Sequence, residues 1–122
     1  TRTYAEKRIR DAAAGISAVT GAEITVRYKN NYPVTYNHDD QTDFAARVAK
    51  NVAGEGKVKT DVAPMMAAED FSYMLEARPG AYIFLGNGDT PGLHHPAYDF
   101  NDEAIPYGVS YFVSVIETAL AA

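Results

Sequence analysis

The feature that most constrains the fold is a run of five apolar residues, Ala81-Tyr82-Ile83-Phe84-Leu85, with Gly80 before it and Gly86 after it. A strand with one face in water alternates polar and apolar side chains, and this run does not alternate. A short apolar run with glycine at both ends is typical of a strand covered on both faces. The run therefore predicts the α/β class, with a parallel or mixed sheet and helices packed on it.

Helical patterns lie on both sides of this run, because apolar residues recur at every third or fourth position. The predicted helices cover residues 5–20, 40–52 and 67–75, and a last helix begins at Asn101 or Asp102. The last helix is predicted to bury one apolar face, formed by Ile105, Val109, Phe112, Val113, Ile116 and Leu120. Further strands are predicted at residues 22–28, which alternate and are half-buried, and at residues 57–62.

The pattern changes near residues 30–38. Before this stretch, one helix and one alternating strand resemble half of an open-faced α+β layer, and after it helices and strands alternate. We therefore predict two portions, residues 1–36 and 37–122. A single amphipathic strand leaves its edges unpaired, so we expect both portions to belong to a larger fold.

Composition excludes several classes of function. The chain has 122 residues and a net charge of −5, and its eleven basic residues are scattered, which argues against nucleic-acid binding. No apolar run approaches the roughly 20 residues of a membrane span. The absence of cysteine excludes disulfides and thiolate metal sites.

The segment from Leu93 to Glu103 carries the strongest candidate for chemistry, because it places His94 and His95 side by side in a loop. This loop follows the predicted buried strand, where α/β proteins tend to place their sites. His94 is therefore a candidate metal ligand or catalytic base, although a surface histidine is the simpler alternative. One imidazole cannot hold zinc alone, since catalytic zinc has about three protein ligands and a water. His38, the only other histidine of the chain, is distant from His94 in the sequence.

Two acidic clusters allow a structural and a functional interpretation. Glu69 and Asp70 can cap a helix, or they can line a cleft beside Met66, which is either core or pocket wall. The second cluster contains Asp99, Asn101, Asp102 and Glu103. These residues could supply oxygen ligands for calcium, but the sequence lacks the rest of a calcium loop. Helix capping explains Asn101 and Asp102 more simply.

Three motifs in a fixed order carry a family resemblance. They are Met66-Ala67-Ala68-Glu69-Asp70-Phe71, then Arg78-Pro79-Gly80-Ala81-Tyr82-Ile83-Phe84-Leu85-Gly86, then the segment from Leu93 to Glu103. Together they resemble the C-terminal part of the metal-dependent amidohydrolase/aminoacylase family, which includes hippurate hydrolase, N-acyl-amino-acid deacylases and plant auxin-conjugate hydrolases. The resemblance covers essentially the whole chain.

The resemblance implies a catalytic α/β domain with two divalent metals (Zn, Mn, Co or Ni) and an inserted α+β lid that mediates dimerisation. Residues 1–36 would be the second half of the lid, and residues 37–122 the C-terminal part of the catalytic domain. His94 falls on the last metal-ligand position of the family and His95 on a position that is not a ligand. The residues that would line the cleft are Met66, Glu69, Asp70 and Gly86.

The family's remaining ligands and its general base lie in upstream motifs that have no counterpart here. We therefore expect no catalytic residue within this chain, and an inactive, metal-free fragment. The intact parent is expected to be a cytoplasmic homodimer that hydrolyses N-acyl amino acids or related amides. One alternative is a stand-alone, non-catalytic binding module derived from the same fold. Another is a small independent metal hydrolase that uses His94, His95 and Asp99.

Overall fold

The computed structural model describes residues 1–121, which form two compact units. The first unit is Thr1–Asn31, and the second begins at Tyr32. The helices are α1 (Arg2–Thr20), α2 (Asp39–Ala53), α3 (Ser72–Ala77) and α4 (Ala104–Leu120), with a short 3-10 turn at Glu55–Lys57. None of the helices within residues 1–121 has both the length and the apolar character that crossing a membrane requires.

The predicted α/β class with a mixed sheet is wrong, because residues 1–121 contain helices and no strand. A strand requires a neighbouring strand for its backbone hydrogen bonds, and the segment at 80–82 bonds to two residues instead. The side chain of Asn37 donates to Tyr82 O at 2.9 Å and accepts from Tyr82 N at 2.8 Å. His38 N donates to Gly80 O at 3.1 Å. The apolar run is therefore anchored at one end only.

The expectation that this run is covered on both faces is also wrong. Ile83, Phe84 and Leu85 are exposed. Leu85 does lie over α4, since its Cδ2 is 3.5 Å from the position that a Cβ on Gly108 would take. The apolar composition of residues 81–85 indicated a segment that can be buried. Within residues 1–121, however, only part of this segment is covered by other residues.

In the first unit, α1 ends at Gly21, whose left-handed φ of 71° favours glycine. The segment that follows returns to the helix through side chains of α1. Arg10 Nη1 donates to Val26 O at 3.2 Å, and Ser17 Oγ donates to Ala22 O. The predicted strand at 22–28 is therefore tied to a helix and is not part of a sheet.

In the second unit, α2 packs against α4. Val48 on α2 is fully buried and Ala45 nearly so. On α4 the covered face begins at the buried Ala104 and continues through four half-buried residues, Gly108, Tyr111, Ser114 and Val115. These positions recur at helical spacing, so one stripe of mostly small residues faces the rest of the unit.

The predicted core face of α4 is wrong. Ile105, Val109, Phe112, Val113, Ile116 and Leu120 are all exposed. Helix α4 has apolar residues on two sides. When both sides are apolar, hydrophobic periodicity does not indicate which of them packs against the rest of the unit. Gly108 and Ala104 leave room for α2 and Leu85 on one side, and the larger side chains remain on the other side.

Candidate functional site

His94 lies in a loop whose two ends are joined by one side chain. Asn87 Nδ2 donates to Asp99 O at 2.8 Å and to Thr90 Oγ1 at 3.0 Å. Asn87 Oδ1 accepts from Asn101 N at 2.8 Å. The loop of residues 87–101 is therefore closed at its base, where it leaves the apolar run and where it enters α4.

Within this loop, His94 has an uncommon backbone conformation. Its φ is 67°, and it is the one non-glycine residue with a positive φ in the described part of the chain. His95 N donates to Gly92 O at 3.1 Å, which closes a β-turn with His94 at its third position. A positive φ there is characteristic of a type II turn and normally requires Gly or Asn. The conformation costs His94 about 1–3 kcal/mol, and such strain often marks a functional residue.

The side chain of His94 is exposed, and within residues 1–121 its ring nitrogens have no hydrogen-bond partner. The neighbouring His95 is exposed as well, but one of its ring nitrogens has a hydrogen-bond partner. His95 Nδ1 accepts from Ala97 N at 3.1 Å, and its carbonyl accepts from Tyr98 N at 2.9 Å. His95 therefore stabilises the turn that follows, and the imidazole of His94 is available to an outside partner.

The residues present fit one ligand position but not a complete metal site. An accessible imidazole on an anchored loop is a suitable donor for zinc and similar ions. No group of three or more His, Cys, Asp or Glu side chains within residues 1–121 is arranged to hold a metal ion. The independent hydrolase built from His94, His95 and Asp99 therefore lacks its ligand set.

The calcium interpretation also has no support from the loop geometry. Asn101 Oδ1 accepts from Glu103 N at 3.0 Å, and Asn101 O accepts from Ala104 N at 2.9 Å. These bonds close the turn before α4. The helix itself begins at Ala104 with Glu103 as its N-cap and no side-chain cap, so the prediction that Asn101 or Asp102 caps it is wrong, and Asn101 holds the preceding turn.

Glu69 forms a second polar cluster before α3. Its Oε1 accepts from Phe71 N at 3.1 Å, and its Oε2 accepts from Tyr82 OH at 3.0 Å. Its backbone O accepts from Ser72 Oγ at 2.6 Å. These bonds hold Glu69 in the turn before the helix, so α3 begins at Ser72, later than the predicted start at residue 67.

The same bonds set the protonation of the cluster. The Phe71 N–H and then the Tyr82 hydroxyl lower the pKa of Glu69 below its ordinary 4.5, because both donate to the carboxylate. The pKa of Tyr82 is raised above 10.0, first by its hydrogen bond to Glu69, then by partial burial and by the nearby negative charge. At neutral pH Glu69 is ionised and Tyr82 is neutral.

The other predicted cleft residues are not gathered around His94. Met66 is fully exposed, and Asp70 and Gly86 are exposed as well. Within residues 1–121, no hydrogen bond or ion pair joins His94 to Met66, Glu69, Asp70 or Gly86. The assignment of these four residues to a cleft stays a prediction.

Sequence reasoning missed three residues that hold the framework of this region. Asn37 pairs with the backbone of Tyr82, and Tyr82 in turn donates to Glu69. His38 Nδ1 lies 3.2 Å from Gly80 N and 3.3 Å from Gly80 O, so the His38 ring is held against the backbone of Gly80. The only signal in the sequence was the hydroxyl group of Tyr82 within an otherwise non-polar run. A phenol that is partly buried usually needs a hydrogen-bond partner, and this would have pointed to a polar neighbour.

Asn87 was also missed, although it lies between Gly86 and Gly88, in the segment that leads from the apolar run to His94. An asparagine followed by glycine usually indicates a turn. Gly88 does have a positive φ of 86°. What the pattern did not reveal is that the side chain reaches across to Asp99 and Asn101.

Comparison with known proteins places the chain in a family. The sequence model described as peptidase family M20/M25/M40 matches residues 4–118. The hippurate hydrolase of Campylobacter jejuni is 36% identical over 115 residues, which is 94% of this chain and 30% of that protein. The N-acetyldiaminopimelate deacetylase of Exiguobacterium sibiricum is 36% identical, over 86% of this chain and 28% of its own length.

A plant protein named as an IAA-amino acid hydrolase, from Arabidopsis thaliana, is 30% identical over 93% of this chain and 27% of its own length. The chain thus spans less than a third of each of these relatives. No solved structure matches it. With a family match over nearly its whole length, the chain belongs to peptidase family M20/M25/M40.

Proposed function

We propose that this chain is the C-terminal part of a metal-dependent amidohydrolase that cleaves N-acyl amino acids or related amides. Membership of the family supports the hydrolase activity. The names of the relatives support the substrate class, since hippurate, N-acetyldiaminopimelate and IAA-amino acids all join an acyl group to the nitrogen of an amino acid.

The observation that carries the proposal is the state of His94. Its imidazole is exposed and has no partner within residues 1–121, and its backbone keeps a φ of 67° that an ordinary surface residue would avoid. Strain of this kind persists where the surroundings hold it and where the position serves a purpose. We assign His94 as one ligand of a divalent metal in the intact protein.

A divalent metal in such a hydrolase polarises the amide carbonyl and lowers the pKa of a water molecule. The role of this chain is to hold and orient a ligand. We assign the role of general base to no residue of this chain, and Glu69 in particular is unsuited to it, because a base works best with a pKa near the working pH. Glu69 is the acidic residue with the most hydrogen bonds, and its pKa is lowered.

We propose that Glu69 shapes the cleft and does not transfer protons. Its carboxylate is occupied by Phe71 N and Tyr82 OH, so it fixes the turn before α3. Met66, Asp70 and Gly86 are proposed to line the same cleft on the strength of the family resemblance. A homodimeric and cytoplasmic parent stays a prediction, as does an inactive isolated chain.

The test compares two adjacent histidines in the intact protein that carries this chain. His94→Ala should weaken metal binding and reduce hippurate hydrolysis, each by more than the roughly 10–100-fold that a residue supporting a ligand costs. His95→Ala is the matched control, because it changes the same side chain one position away and should keep the metal. Unchanged metal content and turnover in His94→Ala would refute the assignment of His94 as a ligand. A parent protein that binds no metal and shows no turnover would instead favour the non-catalytic binding module.

A further inference from the structure

The geometry points to Asn87 as the residue that positions His94, by closing the loop on which His94 lies. This inference rests on the proposed role of His94 as a metal ligand. Asn87 itself touches neither the ring of His94 nor any residue assigned to the reaction, so its role is positioning and not catalysis.

The closure depends on one amide group. Both N–H groups of Asn87 Nδ2 are used, on Asp99 O at 2.8 Å and Thr90 Oγ1 at 3.0 Å, and Oδ1 accepts from Asn101 N at 2.8 Å. Three of the four hydrogen bonds that an amide can form are therefore made. Within residues 1–121, no other hydrogen bond or ion pair joins residues 87–90 to residues 99–101.

The closed loop in turn constrains His94, which lies midway between Asn87 and Asn101. Between these two ends the backbone makes only short-range bonds, such as the turn from Gly92 to His95. An open loop would let His94 relax to an ordinary φ and release the strain of its backbone. Because the ends are fixed, the turn keeps its shape and the imidazole keeps its direction.

The closure also connects the loop to the packed pair of helices α2 and α4. The partner of Asn87 Oδ1 is Asn101 N. Asn101 Oδ1 accepts from Glu103 N, the residue before α4, and Asn101 O accepts from Ala104 N, its first residue. Helix α4 packs on α2, and Ala104 at its start is buried. Asn87 thus ties the loop to a helix pair, which gives a ligand the fixed geometry that metal binding requires.

The experiment is a double-mutant cycle in the intact protein, with zinc alone as the probe. Asn87→Ala should weaken zinc binding by about 10–100-fold in a chelator competition, the range found when the support of a ligand is removed. In the His94→Ala background the same change should have no further effect, because there is no ligand left to position. Additive losses would overturn the inference and make Asn87 a general stabiliser of the fold.

Asn51→Ala is the control, since Asn51 is exposed on α2 and its side chain forms no hydrogen bond within residues 1–121. This variant should leave zinc affinity unchanged in both backgrounds. An equal loss in Asn51→Ala would show that the effect of Asn87→Ala is not specific to the loop, and would overturn the inference.

Hydrogen exchange of the zinc-free protein separates the loop closure from the metal. Asn87→Ala should accelerate exchange of the Asn101 amide at least about tenfold, because that amide loses its acceptor. Unchanged exchange would overturn the inference. If His94→Ala leaves zinc affinity unchanged, the proposed function fails, and the exchange measurement still decides whether Asn87 closes the loop.

Discussion

Substitution of two valines, one on each packed helix, tests which face of α4 is covered. Val48 on α2 is 0% exposed, whereas Val109 on α4 is 57% exposed. Val→Ala removes two buried carbons at position 48, which costs about 1.6 kcal/mol of transfer free energy and about 1 kcal/mol for the cavity. Alanine recovers about 0.5 kcal/mol of helix propensity, so the net cost of Val48→Ala is about 2 kcal/mol.

The same change at Val109 removes carbons that are mostly in water. The transfer cost is then about 0.7 kcal/mol, with no cavity, and the gain in helix propensity nearly cancels it. Urea unfolding of the chain, followed by helical circular dichroism, measures both free energies. If Val109→Ala costs as much as Val48→Ala, the large apolar face of α4 is the packed face and our description of the helix pair is wrong.

Two further predictions concern the site. His94→Gly should be about 1 kcal/mol more stable in urea unfolding than His94→Ala, because glycine accepts a φ of 67° and part of that gain is offset by a more flexible unfolded chain; equal stabilities would show that this conformation carries no strain. Tyr82→Phe should raise the pKa of Glu69 toward 4.5, measured by NMR titration of its carboxyl carbon, and an unchanged pKa would show that the Tyr82 hydroxyl does not hold the carboxylate.

The sign of the pH effect follows from the direction of the shift. The pKa of Glu69 is lowered in the folded chain, so its contribution to stability is complete above pH 4.5 and is lost as the pH falls through the folded-state value. Tyr82→Phe weakens the carboxylate interactions. The variant should therefore lose less stability than the parent chain when the pH falls below 4.5.

Helices could be located from the sequence because their signals are local. Helical spacing and the glycines at positions 21 and 54 predicted α1 and α2 to within a few residues. The predicted strands were wrong within residues 1–121, because a strand depends on a partner strand that can lie anywhere in the chain and that local patterns do not identify. In residues 1–121 the backbone of Tyr82 bonds to a side chain, Asn37, which no pattern in the sequence indicates.

The candidate site was predicted in a similar, partial way. The neighbouring glycines and proline indicated that His94 lies in a loop, and a turn residue with a positive φ agrees with that expectation. The structure gives the physical difference between the two histidines: the ring of His95 accepts a hydrogen bond from Ala97 N, and the ring of His94 has no partner within residues 1–121. Asn87 was missed since its partners, Asp99 and Asn101, are distant in sequence.

The central claim is that His94 is a metal ligand, and a crystal structure of the intact protein grown with zinc tests it most directly. The account predicts a zinc ion at about 2.0–2.1 Å from one ring nitrogen of His94, with His94 still at a positive φ. Zinc bound at a site that does not include His94 would contradict the account.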